Sequence, residues 1–230
     1  MYLFLVLIFG TMAISLWASW RVKRAYQRSL QVPAGYGRTG ADAAAEILHS
    51  AGIYDVDITR GEGMLGDHYD PVQKRLVLSP DNFSGQSAAA LGVAAHECGH
   101  AIQHKLAYAP LQWRMMAVGA TTFASQIVMW LPLIGIFTGL ISSYTGAAIM
   151  AGAWGIIMLF NLVTLPVEFD ASRRAVAVLD RMGMVRQGEE MSAVKGVLNA
   201  AGWTYVAAFI TSLAYFLWHV LPLILGNRDE

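Results

Sequence analysis

A mainly α-helical membrane protein, with four spanning helices and a small α+β unit between the first two, is the fold that three observations predict. The chain of 230 residues is 56% hydrophobic and only 14% charged, with mean hydropathy +0.45, whereas a soluble domain carries about 25% charged residues. The charges are confined to blocks. The loop after the first apolar block alternates strand-like and helix-like patterns. This composition excludes a disordered chain, and the balance of 16 basic against 16 acidic residues leaves no basic field for nucleic acid. The lone Cys98 forbids an intrachain disulfide.

Met1–Trp20 contains no charged side chain, nor do the 53 residues Met115–Val167, nor Trp203–Asn227. A spanning helix uses about 20 apolar residues, so the outer blocks supply one span each and the long block two. The predicted spans are about 2–20, 115–139, 146–166 and 203–225, with the turn between the middle pair at Ser142-Ser143-Tyr144-Thr145-Gly146. The first apolar run lacks a preceding basic residue and exceeds a usual signal-peptide core, so it reads as an uncleaved anchor. Ten Lys and Arg residues lie between spans one and two and five between spans three and four, with none in the turn between spans two and three. Positive loops stay in the cytoplasm. Both large loops, about 21–114 and 167–202, are therefore expected to be cytosolic and both termini outside, in one membrane-embedded domain over 1–230. Trp20, Trp113 and Trp203 stand at the cytosolic borders, where indole rings settle.

In the first loop, Arg38–Ala51 reads as a helix with Thr39 as N-cap, Asp42 in its first turn and Gly52 past its end. Strand-like runs follow near 54–59, 63–69 and 74–79, punctuated by Gly61-Glu62-Gly63 and by Asp70-Pro71-Val72-Gln73. Residues 87–107 return to a helix. In the second loop a helix over about 167–182, closed by Gly183, precedes another near 189–201 that leads into the fourth span.

The helix at 87–107 carries His96-Glu97-Cys98-Gly99-His100. Residues i and i+4 share a helix face, so both imidazoles can reach one zinc ion. Glu97, about 100° round the helix, stands beside the metal, placed to take a proton from bound water. Small neighbours (Ala94, Ala95, Gly99, Ala101) allow close approach. His104 continues the face, but two turns of helix are about 11–12 Å, too far to share the ion; it reads as a supporting or surface group. Gln103 and Leu106 replace the Gly and third His of the longer zincin pattern. A catalytic zinc needs a third protein ligand. The chosen candidate is Glu168, an acid in an apolar run where a span ends. A metal-free reading, in which it pairs with Arg173 or Arg174 or marks a helix start, is the alternative.

His96–His104, Asp67-His68-Tyr69-Asp70-Pro71 and Leu165-Pro166-Val167-Glu168-Phe169-Asp170-Ala171-Ser172 resemble the bacterial membrane zinc metallopeptidases of the YugP type, over nearly the whole chain. The resemblance implies a zincin-like cytosolic unit of three-stranded sheet plus HExxH helix. It further implies one zinc per chain on His96, His100 and Glu168, with Glu97 as general base. More distantly the chain is similar to HtpX-type proteases, but Ser172 stands where their second acid would follow the ligand glutamate; Asp170 is the substitute considered. In those enzymes an edge strand pairs with extended substrate, and residues 63–79 are the candidates here. Asp67 and His68 could touch substrate or belong to a plain turn, and Asn161 could support a ligand or bridge two spans. The expected activity is hydrolysis of peptide or membrane-protein substrates at the cytosolic face of a bacterial plasma membrane, without nucleic acid. The rivals are an intramembrane-type metalloprotease, disfavoured because Leu179-Asp180 is followed by Arg181 where such enzymes have Gly, and a non-enzymatic scaffold with a structural zinc.

Overall fold

The computed structural model describes residues 2–63, 66–138 and 143–225. Among them the order is α1 (Tyr2–Leu30), α2 (Gly40–Ser50), β1 (Asp57–Arg60), β2 (His68–Asp70), β3 (Arg75–Leu78), α3 (Pro80–Ser84), α4 (Ala88–Lys105), α5 (Ala109–Thr138), α6 (Ser143–Arg181) and α7 (Glu189–Leu225). Helices α1, α5, α6 and α7 are each long and apolar enough to cross a membrane.

These four helices outrun the charge-free blocks that predict them. The first continues through Arg21–Arg28 to Leu30. The third span and the helix expected separately from residue 167 are one helix, α6, with Pro166 inside it. Proline removes one backbone bond, but spanning helices tolerate it, and Val167–Arg181 contains no glycine to stop the helix. The helix near 189–201 leads into the fourth span, as expected, and the two form α7. The turn expected at 142–146 lies partly outside the described residues, while Ser143 onward already belongs to α6.

The chain divides into two compact units. One comprises Met1–Trp17, Gln112–Leu165 and Tyr205–Glu230. Within it Trp154 stacks on Tyr215 at 4.6 Å between centroids, and Gly155 leaves room for the Phe216 ring. Asn161 donates to the Ala208 carbonyl and the Ser212 hydroxyl. Large apolar side chains such as Met116, Phe123 and Leu159 are exposed along these helices, as lipid-facing residues are.

The second unit comprises Ala18–Leu111 and Pro166–Thr204. Thr39 caps α2 reciprocally with Asp42: its hydroxyl accepts from the Asp42 amide at 3.1 Å and the Asp42 carboxylate from the Thr39 amide at 3.0 Å. Gly52 (φ +67°) turns the chain out of the helix. The Asp70 carboxylate accepts from the amides of Val72 and Gln73, closing the turn into β3.

The first two runs are not neighbours in the sheet. The sheet order is β1-β3-β2, with β3 parallel to β1 and antiparallel to β2. Asp67 accounts for the placement of β2: its carboxylate accepts from the Ser79 amide and from Asn82 Nδ2, tying the start of β2 to the end of β3. Asn82 in turn accepts from the Tyr26 hydroxyl of α1. The short α3, absent from the sequence reading, opens with Pro80 at its first turn, where proline is pre-set for a helix. Alternate residues of β3, Leu76 and Leu78, are fully buried with Ile47, Leu91, Leu179, Met184 and Val194. The core thus lies between sheet, α2, α4 and the cited ends of α6 and α7.

Candidate metal centre

The HExxH motif occupies the middle of α4, whose N-terminus is capped by the Ser87 hydroxyl accepting from the Ala90 amide. On this helix His96 and His100 lie one turn apart, their rings edge to face at 4.8 Å between centroids. Packed across them is the stretch of α6 that follows Pro166. A Cβ built on Gly99 would stand 2.7 Å from the Ala171 carbonyl oxygen and 3.1 Å from its Cα. The two backbones meet there with no space for a side chain, and the contact carries Glu168 to the histidines.

The Oε2 atom of Glu168 lies 3.3 Å from His96 Nε2 and 3.5 Å from His100 Nε2. One ligand atom from each of the three residues falls within 4.8 Å of the others. Tetrahedral ligands about 2.0–2.1 Å from a zinc ion are about 3.3–3.4 Å apart, so these spacings suit a shared metal ion. The donor set, two imidazoles and a carboxylate that leave a position open, is one that catalytic zinc uses. The Glu168 side chain is only 3% exposed. Burial pushes its carboxyl up, but the facing edges of His100 and His96 outweigh this and hold it well below the usual carboxylate range. Arg173 and Arg174 both reach Asp170.

Each imidazole is also held from behind. His96 Nδ1 lies 3.1 Å from the Ser172 hydroxyl and His100 Nδ1 lies 3.1 Å from Gln103 Oε1. Gln103 is fully buried, and its amide nitrogen donates to the Val167 carbonyl (2.8 Å) and to Asp170 Oδ2 (2.9 Å). Gln103 thus bridges Asp170 and His100. Neither support is legible as such in the sequence, where Gln103 breaks a longer motif and Ser172 replaces an acid. Their signal is their spacing, three residues after a motif histidine and four after the glutamate.

Glu97 is buried beside the histidines. His104 bonds instead to the Tyr69 hydroxyl of β2 at 2.9 Å. His68, exposed on β2, bonds through Nδ1 to the Gly66 carbonyl. Asn161 makes the interhelical bonds already described. Cys98 is fully buried, and burial pushes its thiol well up, leaving it inert.

Residues 3–224 match the family model described as "Putative neutral zinc metallopeptidase". A protein of Bacillus subtilis (strain 168) named "Putative membrane protease YugP" is 39% identical over 228 residues, covering 99% of each chain. No solved structure matches. The chain thus belongs to this neutral zinc metallopeptidase family and is a membrane metallopeptidase of the YugP type.

Proposed function

We propose that the protein is a zinc-dependent endopeptidase of the bacterial plasma membrane, holding one zinc on His96, His100 and Glu168 at the cytosolic face, with both termini outside. The observation that carries this reading is the convergence of two Nε2 atoms on one Glu168 oxygen at the spacing of zinc ligands. Zinc at such a site supplies Lewis acidity, bringing the pKa of water towards 7 and polarising a carbonyl. Glu97, next to a ligand on the same helix, takes the proton of the attacking water and returns it to the leaving amine. The zincin-like unit is α4 with the three-stranded sheet. Of the candidate stretch 63–79, β3 is hydrogen-bonded on both sides, so pairing with extended substrate falls to the edge strand β2, where exposed His68 is placed to meet it. The lysine and arginine distribution supports the orientation.

The test joins metal analysis with cleavage of an unfolded casein-type substrate by detergent-purified protein. Glu97→Gln should keep about one zinc per chain while cleavage falls by at least about 100-fold, the usual scale of general acid–base catalysis. Glu168→Ala should weaken zinc binding. Tightly held zinc with no cleavage by the wild type would favour the structural-zinc scaffold, and unchanged zinc affinity in Glu168→Ala would remove that residue from the ligand set.

A further inference from the structure

We infer that Gln103 is a positioning residue that fixes His100 in the one tautomer able to bind metal through Nε2, with Asp170 as the group that orients Gln103. The assignment rests on the reading of His96, His100 and Glu168 as zinc ligands. The argument is one of donors and acceptors. A glutamine amide has two N–H donors on one side and a carbonyl oxygen on the other. Here the donor side is committed, to the Val167 carbonyl at 2.8 Å and to Asp170 Oδ2 at 2.9 Å. Turning the amide over would set its oxygen against two acceptors at a position with no exposed surface, where an unpaired polar group is costly. Oε1 must therefore face His100 Nδ1, 3.1 Å away, and Nδ1 must carry the proton. A neutral His100 then presents its lone pair on Nε2, towards Glu168 Oε2 at 3.5 Å.

Asp170 is itself held in this position by Arg173 and Arg174, which both pair with it. The order of transmission is therefore arginine pair, Asp170, Gln103, His100. The other ligand is held less strictly. Ser172 is a hydroxyl, which both donates and accepts, so its contact with His96 Nδ1 steadies the ring without dictating its tautomer. The structure thus assigns the two histidines unequal support.

The experiment uses full-length protein in detergent, selectively labelled with [15N]histidine and loaded with 113Cd, alongside zinc affinities from chelator competition. In the wild type His100 should couple to cadmium through Nε2 and show a slowly exchanging Nδ1 proton. Gln103→Met, of similar shape but without the amide, should lose that protected proton and bind zinc about 10–100-fold more weakly. Ser172→Ala should lose less. If Gln103→Met unfolds, the wild-type signature alone decides, because coupling through Nδ1 of His100 would overturn the assignment. Equal zinc affinity and an unchanged His100 spectrum in folded Gln103→Met would overturn it too, leaving the ligand set intact. A wild type that binds neither metal would instead remove the ligand set and this assignment with it.

Discussion

Gly99→Ala asks whether the centre depends on backbone contact between α4 and α6. Alanine is the better residue for the middle of a helix by about 0.8–1.0 kcal/mol, so without a tertiary obstacle the substitution should stabilise. The obstacle is specific: the new Cβ would lie 2.7 Å from the Ala171 oxygen, 3.1 Å from its Cα and 3.2 Å from its carbonyl carbon. These are backbone atoms that cannot swing aside. Reaching ordinary contact, which begins at 3.4 Å, means separating the helices locally by about 0.7 Å, and such overpacking costs about 1–3 kcal/mol. The two terms nearly offset, so the stability of metal-free protein should change by no more than about 2 kcal/mol. The metal is the sharper reporter. Ligand distances tolerate only about 0.2 Å of error, and the shift falls on the contact that sets the 3.3 and 3.5 Å spacings. Zinc affinity should therefore drop by at least about 10-fold. Gly92 on the same helix is the control: there a Cβ would meet the side chains of Val194 and Val197, at 3.4 and 3.6 Å, so Gly92→Ala should stabilise by up to about 1 kcal/mol and leave zinc affinity unchanged. Chelator competition and thermal unfolding of the metal-free protein measure both quantities. A stabilised Gly99→Ala with wild-type zinc affinity would refute the role given to close approach.

Three other outcomes follow from the geometry. Thr39→Ala removes the α2 cap and should destabilise the protein by about 1 kcal/mol; an unchanged denaturation midpoint would show that the capping box contributes nothing. Burial pushes the Asp170 carboxyl up, but Arg174, Gln103 and Arg173 outweigh it and hold the carboxyl below its ordinary value. Its contribution should then be present above the unfolded pKa of about 3.9 and disappear as pH falls through the folded value; in metal-free protein Asp170→Asn should flatten the acid limb of stability against pH, and an equally steep limb would contradict this. For orientation, a Cys98→Ala chain with one new cysteine should react with membrane-impermeant maleimide in intact cells at Tyr2→Cys and not at Glu62→Cys; the reverse pattern would invert the topology.

Much of the architecture could be read from periodicity and charge. The apolar blocks marked four spanning helices, and Thr39, Asp42 and Gly52 marked helix ends, because caps depend on neighbours a few residues apart. The strand order was not legible. It depends on Asp67 reaching Ser79 and Asn82, a contact with no periodic signature. The break expected at Pro166 fails for a related reason: a change from apolar to charged residues alters what surrounds a helix, and the backbone bonds continue through it.

At the centre, the i,i+4 spacing by itself placed two imidazoles and a carboxylate around one turn of helix, since that relation follows from the helical repeat alone. That Glu168 meets them, that Gln103 and Ser172 stand behind them, and that Asp170 takes up the arginines were matters only the tertiary structure decided. Each depends on how closely two helices distant in sequence approach, and that distance is set where Gly99 leaves the Ala171 backbone room to lie.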